Sequence, residues 1–312
     1  MTAVDDRTDT AGPALEVGSP RRRKEDRRLL TGRTRFTDNI QLPGMLHLAM
    51  VRSPMAHATI TAIDVEAAKA SPGVVKVLTG RDVADSQGSL PNAWPITPEQ
   101  KAPAHPSIAV DEVNYAGEIV ACIVARSARE ARDAVELVDV DYDDLPVVLD
   151  IEAAVADGAD LVHPDLGTNI SAHFVLDPTP EGGEDVDAKI ATARESGIVI
   201  ERTYRQQRLI PAFMEPRSTV CDPTGEQIVL WDATQIPHVL RVMLALTLGI
   251  SESKLRVIAP DVGGGFGGKL QVTPEEIITV LAAQQLGKPV KYTETRSESL
   301  MAGHHGRDQW QG

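Results

Sequence analysis

The chain has 312 residues, 42% hydrophobic and 24% charged, the composition of a soluble globular protein with sequence enough for two domains. Its formal net charge of -14 argues against a general binder of nucleic acid or anionic membrane, because phosphates must be met by cations. Two cysteines, Cys122 and Cys221, cannot build a zinc site or an iron-sulfur cluster unaided; no run is long enough to span a bilayer, and the N-terminus has no apolar signal segment, so a reduced, cytoplasmic protein is expected.

Residues 1–28 read as a loosely held arm, and its basic cluster (Arg21, Arg22, Arg23, Lys24, Arg27, Arg28) as a solvated lead-in to the first strand. Residues 46–51, 59–63 and 74–78 are rich in β-formers, and Asp64 can cap a short helix that Pro72-Gly73 stops. A nearly continuous apolar strand at 118–125 is followed by a Ser127/Glu130 capping box. Ala131, Ala134, Val135 and Val138 then line one side of a helix. Residues 138–142 alternate as a half-exposed strand, closing an α+β domain near Pro146. His57, alone among small residues, reads as packed rather than catalytic.

Residues 157–183 are rich in Asp, Gly and Pro and mark a connection or surface excursion. Strands are expected at 197–204, 228–231, 255–258 and 290–293, with an apolar helix at 237–248 stopped by Gly249. Beyond His304-His305-Gly306-Arg307-Asp308 no closing element is expected, and no internal repeat is visible.

Asp261-Val262-Gly263-Gly264-Gly265-Phe266-Gly267-Gly268-Lys269 is the most informative stretch. Glycines clustered between a strand and a helix imply backbone that something approaches closely. Two nucleotide templates almost fit. Gly263, Gly265 and Gly268 match G-x-G-x-x-G, but the helix start signal (Thr273 as N-cap, Pro274, Glu276) comes five residues too late, and Glu275 and Glu276 oppose a pyrophosphate. Residues 263–269 match G-x-x-x-x-G-K, but Leu270 lacks the hydroxyl that holds magnesium.

Gln235, between a strand and a proline-started helix, can offer a neutral amide donor to an oxo group or carbonyl. A helix-entry side chain serving the backbone is the plainer reading from the residues alone. Glu215, two residues from Arg217, reads as half of a structural ion pair, and His304 and His305 as solvated. No nucleophile elbow and no convincing Cys/His pair is present.

In order along the chain come Gly32-Arg33-Thr34-Arg35-Phe36-Thr37-Asp38, Leu42-Pro43-Gly44-Met45-Leu46, Arg52-Ser53-Pro54-Met55-Ala56-His57-Ala58 and Tyr115-Ala116-Gly117-Glu118-Ile119-Val120-Ala121. Met214-Glu215-Pro216-Arg217, Thr234-Gln235-Ile236-Pro237-His238, the glycine loop, Pro289-Val290-Lys291 and Gly306-Arg307-Asp308-Gln309 follow. This succession, over residues 17–312, resembles the N-terminal part of the molybdenum-cofactor subunit of the xanthine dehydrogenase, aldehyde oxidoreductase and carbon monoxide dehydrogenase family.

The resemblance implies an α+β fold: an N-terminal arm (1–28), an α/β hammerhead domain (29–150), a linker and surface excursion (151–190) and the first part of a mixed α/β molybdenum-cofactor-binding domain (191–312). It places Phe266 beside a molybdenum-molybdopterin cofactor of the cytosine dinucleotide form. The Gly267 N–H and the Gln235 amide would reach one oxo ligand, Gly264, Gly265 and Gly268 would complete the cofactor contact, and no metal ligand would come from protein. Neutral donors suit that task, since they stabilise charge on the oxo group without competing as ligands. The implied reaction inserts water-derived oxygen into a small molecule and passes electrons to iron-sulfur and FAD-binding partner subunits.

Three departures qualify the match. Met55 and Ile119 replace the usual His and Pro, as packing changes. Leu270 stands where purine-oxidising members carry Glu, favouring aldehydes, apolar heteroaromatics or carbon monoxide. The family's subunits are more than twice as long, with the general-base Glu in the later portion, so this chain is expected to be a truncated, inactive piece. A non-catalytic assembly module and a nucleotide-binding enzyme are the rival readings.

Overall fold

The computed structural model describes residues 17, 22–92, 95–177 and 182–311; most of the expected arm therefore lies outside the described residues. Residues 1–35 form a unit of their own, with one short helix, α1 (Asp26–Leu30), and exposed basic side chains from Arg22 to Arg28.

Residues 36–312 form the second unit. Its first half contains β1 (Leu46–Arg52), β2 (Ala58–Asp64), α2 (Glu66–Ala70), β3 (Val74–Thr79) and α3 (Gly80–Val83). β4 (Glu112–Val113), β5 (Ile119–Ala125), α4 (Ala128–Val135), β6 (Asp139–Asp144) and α5 (Ile151–Ala154) follow. The second half contains α6 (Val186–Ser196), β7 (Tyr204–Leu209), β8 (Ser218–Asp222), β9 (Ile228–Asp232) and α7 (Pro237–Leu248). It ends with β10 (Leu255–Ile258), α8 (Pro274–Leu286), β11 (Val290–Thr293), α9 (Arg296–Ala302) and β12 (Gly306–Gln311).

One seven-stranded sheet, in the order β10-β9-β8-β11-β1-β5-β3, draws strands from both halves. The join is the parallel pair β1 and β11, with Leu46 opposite Val290 and Leu48 opposite Tyr292. The period of two along β1 explains why this strand is central. Leu46, Leu48 and Met50 enter the large core with Ile277, Ile278 and Leu281 of α8, while Ala49 packs in a separate cluster with Ala125 and Ala131 near α4. β5 is buried at every residue, as its unbroken apolar run requires. Truncating a side chain such as Ile278 to Ala removes packing worth about 2–5 kcal/mol.

The helix signals work through named atoms. Ser127 Oγ accepts from the Glu130 N–H at 3.2 Å and donates to Glu130 Oε2 at 2.8 Å, starting α4. The Thr273 N–H donates to Glu276 Oε2 at 2.9 Å at the start of α8, and Gly249 and Gly287 close α7 and α8 at φ of 64° and 60°.

Two expectations are corrected. Residues 197–204 are not a strand: Gly197 ends α6, Ile198 and Ile200 stay exposed, and the strand is β7, starting at Tyr204. Apolar, β-branched sequence makes a strand only where a partner edge is available, and the edge belongs to β12. Conversely, residues after Gly303 do form an element, since β12 pairs antiparallel with β7, Gly306 opposite Leu209 and Gln311 opposite Tyr204. No helix is expected from the sequence at α6, and in the fold none of its residues is buried.

Candidate active site at the glycine loop

β9 and β10 are parallel neighbours, so the segments leaving their carboxyl ends emerge at the same sheet edge. One segment carries Gln235 into α7, and the other is the glycine loop leading to α8. They are tied by backbone: the Gln235 N–H donates to the Lys269 carbonyl at 3.0 Å.

The Gln235 side chain then turns back on the loop. Its Oε1 accepts from the Gly267 N–H at 3.2 Å and the Lys269 N–H at 3.3 Å. Two donors on one atom fix which end of the amide is oxygen, and Nε2 is left without a hydrogen-bond partner among the described residues. The residue is exposed. Gly265 lies directly against it, where a Cβ would come within 2.3 Å of Gln235 Oε1 and would push the amide off the loop.

Gly267 is different. Its φ of +88° suits glycine, but nothing lies within 4 Å of where its Cβ would point, so this backbone faces open space. Phe266 beside it has φ of 50° and is 77% exposed, a bulky side chain held in the left-handed region at the rim of the same opening. Gly264 is half-buried behind Phe266, and Gly268 is buried against Phe213 and Pro211. Leu270 is 38% exposed, immediately after the loop.

Beneath the loop, Glu215 Oε2 accepts from the Gly263 N–H at 2.7 Å and from Lys269 Nζ at 2.8 Å. The expected Glu215–Arg217 pair is therefore corrected. Arg217 instead reaches Glu294 at 2.6 Å and Glu275 at 3.0 Å, while Glu215, in the irregular segment before β8, turns toward the loop. Lys269 is almost fully buried, its ammonium 4.8 Å from the Phe213 ring centroid. The loop's N–H groups at Gly263, Gly267, Gly268 and Lys269 all meet protein acceptors, so they do not form the outward nest that a nucleotide phosphate needs.

Two charge clusters flank the loop. Burial pushes the Glu275 carboxyl up, but the Arg217 and Arg52 guanidiniums outweigh it and hold it well below the usual carboxylate range. Asp232, at the end of β9, is pushed up to about 7 by burial, against the Thr219 hydroxyl and the charges of Arg217 and Lys269. Glu276 is pushed up as well, by burial and then by Asp232, so these two carboxyls titrate together.

Other candidates fall elsewhere. His57 is buried, with Nδ1 2.6 Å from the Pro146 carbonyl and Nε2 3.2 Å from Glu112. A cavity of about 930 Å³, lined by Arg52, Tyr115, Glu275, His304 and His305 among others, does not include residues 261–270; the candidate site is taken at the loop, where the Gln235 amide and the open Gly267 backbone lie together. Among the described residues no group of three or more His, Cys, Asp or Glu could hold a metal ion, and no helix is long and apolar enough to cross a membrane. Phe213, Asp232 and Arg296, whose guanidinium donates to the Phe213 carbonyl at 2.7 Å, carry no signal in the sequence. Lys269 carries one, as the last residue of the glycine motif.

Residues 31–146 match the family model of the aldehyde oxidase and xanthine dehydrogenase a/b hammerhead domain, and residues 162–312 that of the molybdopterin cofactor-binding domain. The chain is 39% identical over 300 residues to the nicotine 6-hydroxylase large subunit of Paenarthrobacter nicotinovorans, covering 94% of this chain and 35% of that protein. It is 34% identical to the carbon monoxide dehydrogenase large chain of Hydrogenophaga pseudoflava, covering 91% and 36%. Among solved structures, quinoline 2-oxidoreductase from Pseudomonas putida 86 superposes with a TM-score of 0.82 at 37% identity, covering 92% of this chain and 36% of that one. The chain thus spans just over a third of the length of these relatives. With both domain models matched in order and the hammerhead and cofactor-binding halves joined in one sheet, the chain belongs to the molybdenum-binding large-subunit family of xanthine dehydrogenase, aldehyde oxidase and carbon monoxide dehydrogenase.

Proposed function

We propose that this chain contributes the oxo-facing part of the site in a cytoplasmic molybdenum hydroxylase. The observation that carries this reading is the exposed, unpartnered Nε2 of Gln235 beside a glycine loop whose Gly267 backbone faces open space. These residues fit a cofactor that brings its own metal ligands: the loop offers neutral donors, and its one cation, Lys269, is tied down by Glu215. When bound, molybdopterin in its cytosine dinucleotide form supplies the two-electron redox chemistry and the water-derived oxygen.

The chain's residues bind and orient. Gln235 Nε2 would hold an oxo ligand of the bound cofactor, and the Gly267 N–H, now in a long, exposed 3.2 Å bond to Gln235 Oε1, would be the second donor available to it. Phe266 forms an apolar wall that limits water and sets the substrate plane, while Gly264, Gly265 and Gly268 keep the backbone low. Leu270 offers no hydrogen bond to a purine edge, which favours an aldehyde, an apolar heteroaromatic or carbon monoxide. An N-heteroaromatic agrees best with the relatives, since the proteins at 39% and 37% identity are named for nicotine and quinoline. Partner subunits carrying iron-sulfur clusters and FAD would take up the electrons.

The test is isolation of the enzyme from its native host through a tag on this chain, followed by metal analysis and identification of the nucleotide released from the pterin. Stoichiometric molybdenum with a cytosine nucleotide is expected, and molybdenum-free active enzyme would refute the proposal.

A further inference from the structure

We infer that Glu215 is a positioning residue, which through Lys269 and Gly263 sets the height and tilt of the loop that presents Gly267 and Gln235. The inference rests on the cofactor reading above for its catalytic consequence, but the latch itself stands on geometry.

Three observations converge. First, one carboxylate oxygen, Glu215 Oε2, holds both ends of the loop, since Gly263 opens it and Lys269 closes it. Gly263 and Lys269 lie 48 and 54 residues from Glu215, so no local turn enforces the geometry. Second, the hold is reciprocal: the Glu215 N–H donates to the Gly263 carbonyl at 3.1 Å, and the Glu215 segment is itself pinned by Arg296, which donates to the Phe213 and Met214 carbonyls at 2.7 and 3.0 Å. Third, the grip is passed directly to the site. The Lys269 backbone is bonded at both its N–H and its carbonyl to Gln235, so a shift of Lys269 moves the amide that faces the opening.

Charge explains why this latch is an ion pair rather than two neutral groups. The Lys269 side chain is 1% exposed and that of Glu215 is 11% exposed. An ammonium buried to that degree needs its counter-ion, and Glu215 Oε1, buried without a hydrogen-bond partner, leaves the carboxylate's bonding concentrated on Oε2. Breaking the pair removes a tie that both ends of the loop share through Glu215 Oε2 and leaves a buried charge uncompensated. A purely local glycine turn would not respond in that way.

The experiment compares Glu215→Gln, which keeps an acceptor for Gly263 but removes the charge, with Lys269→Met, which keeps the stem against Phe213. Amide hydrogen exchange is measured on the chain itself, without cofactor. At Gly263, Gly268 and Lys269 exchange is expected to quicken by about 10-fold or more in both variants, with α8 amides unchanged. Unchanged loop exchange, or an equal rise in α8, overturns the latch. In the cofactor-loaded enzyme the same variants are expected to keep molybdenum content, to lower kcat on the order of 100-fold with little change in KM, and to alter the molybdenum(V) paramagnetic resonance spectrum. A wild-type spectrum and kcat in both variants overturns the positioning role. If the loop exchange rises as expected but the native enzyme holds no molybdenum, the latch is supported and the cofactor reading is what fails.

Discussion

Arg52 Nη2 lies 2.7 Å from Glu275 Oε1 although 223 residues separate them, and the same carboxylate is gripped from the other side by Arg217 at 3.0 Å. Arg52 ends β1 and Glu275 opens α8, so this cluster clamps the first half of the sheet to the helix that follows the glycine loop. All three side chains are nearly buried, and their charges are bearable only as a set. Arg52→Met is expected to destabilise by about 3–5 kcal/mol, because Glu275 and Glu298 lose a buried partner. Urea denaturation measures this, and a loss below about 1 kcal/mol would mean that the cluster is not a clamp.

Removing the outward amide of Gln235 is the direct test of the proposed site. In the cofactor-loaded enzyme, Gln235→Ala is expected to lower transition-state stabilisation by about 2.7–4 kcal/mol with metal content largely retained. A kcat within a factor of two of wild type would remove Gln235 from the mechanism.

Gly267→Val tests the open face. A β-branched residue at a φ of +88° carries about 1–3 kcal/mol of backbone strain, and its side chain enters the space in front of the loop. We expect a folded protein with no oxidation activity; full activity with normal molybdenum would place the cofactor elsewhere.

The nucleotide reading predicts that Leu270→Thr, which supplies the missing hydroxyl, gains magnesium-dependent ATP binding. We expect none by calorimetry, since the Gly263 and Gly267 amides are bonded to Glu215 and Gln235 and buried Glu275 and Glu276 occupy the first turn of α8. Measurable ATP affinity in that variant would revive the rival.

The carboxyls behind the loop give a pH signature. Burial holds the coupled Asp232 and Glu276 carboxyls above the ordinary carboxylate range, so above that range the folded protein holds more protons than the unfolded chain and stability falls as pH rises. Asp232→Asn removes that contribution. Its stability to urea is expected to gain on wild type progressively from about pH 4.5 upward, by at most about 1.4 kcal/mol per pH unit. A difference that is constant with pH would show that Asp232 does not titrate in this window.

The 312-residue chain expressed alone in a molybdenum-replete host is expected to oxidise no aldehyde, heteroaromatic, purine or carbon monoxide. Its relatives are almost three times as long, and the resemblance assigns the general base to their later portion. Turnover by the purified chain would overturn this.

Local chemistry determined much of this protein in advance. The unbroken apolar run of β5, the Ser127/Glu130 and Thr273/Glu276 boxes and the glycine stops of α7 and α8 depend on neighbours a few residues away, so their signals sit together in the sequence. The glycine loop was legible for the same reason, and its misfit to nucleotide templates came from the position of the cap at Thr273. Tertiary structure decided what depends on distant partners. Whether 197–204 or 204–209 became a strand was settled by the edge that β12 offers, and Glu215 chose Lys269 over Arg217 because the loop, not the neighbouring residue, faces it. The parallel join of β1 to β11 and the burial of Arg52 with Glu275 are likewise long-range. A buried charge must find its counter-ion wherever the fold brings one, and sequence spacing holds no record of that choice.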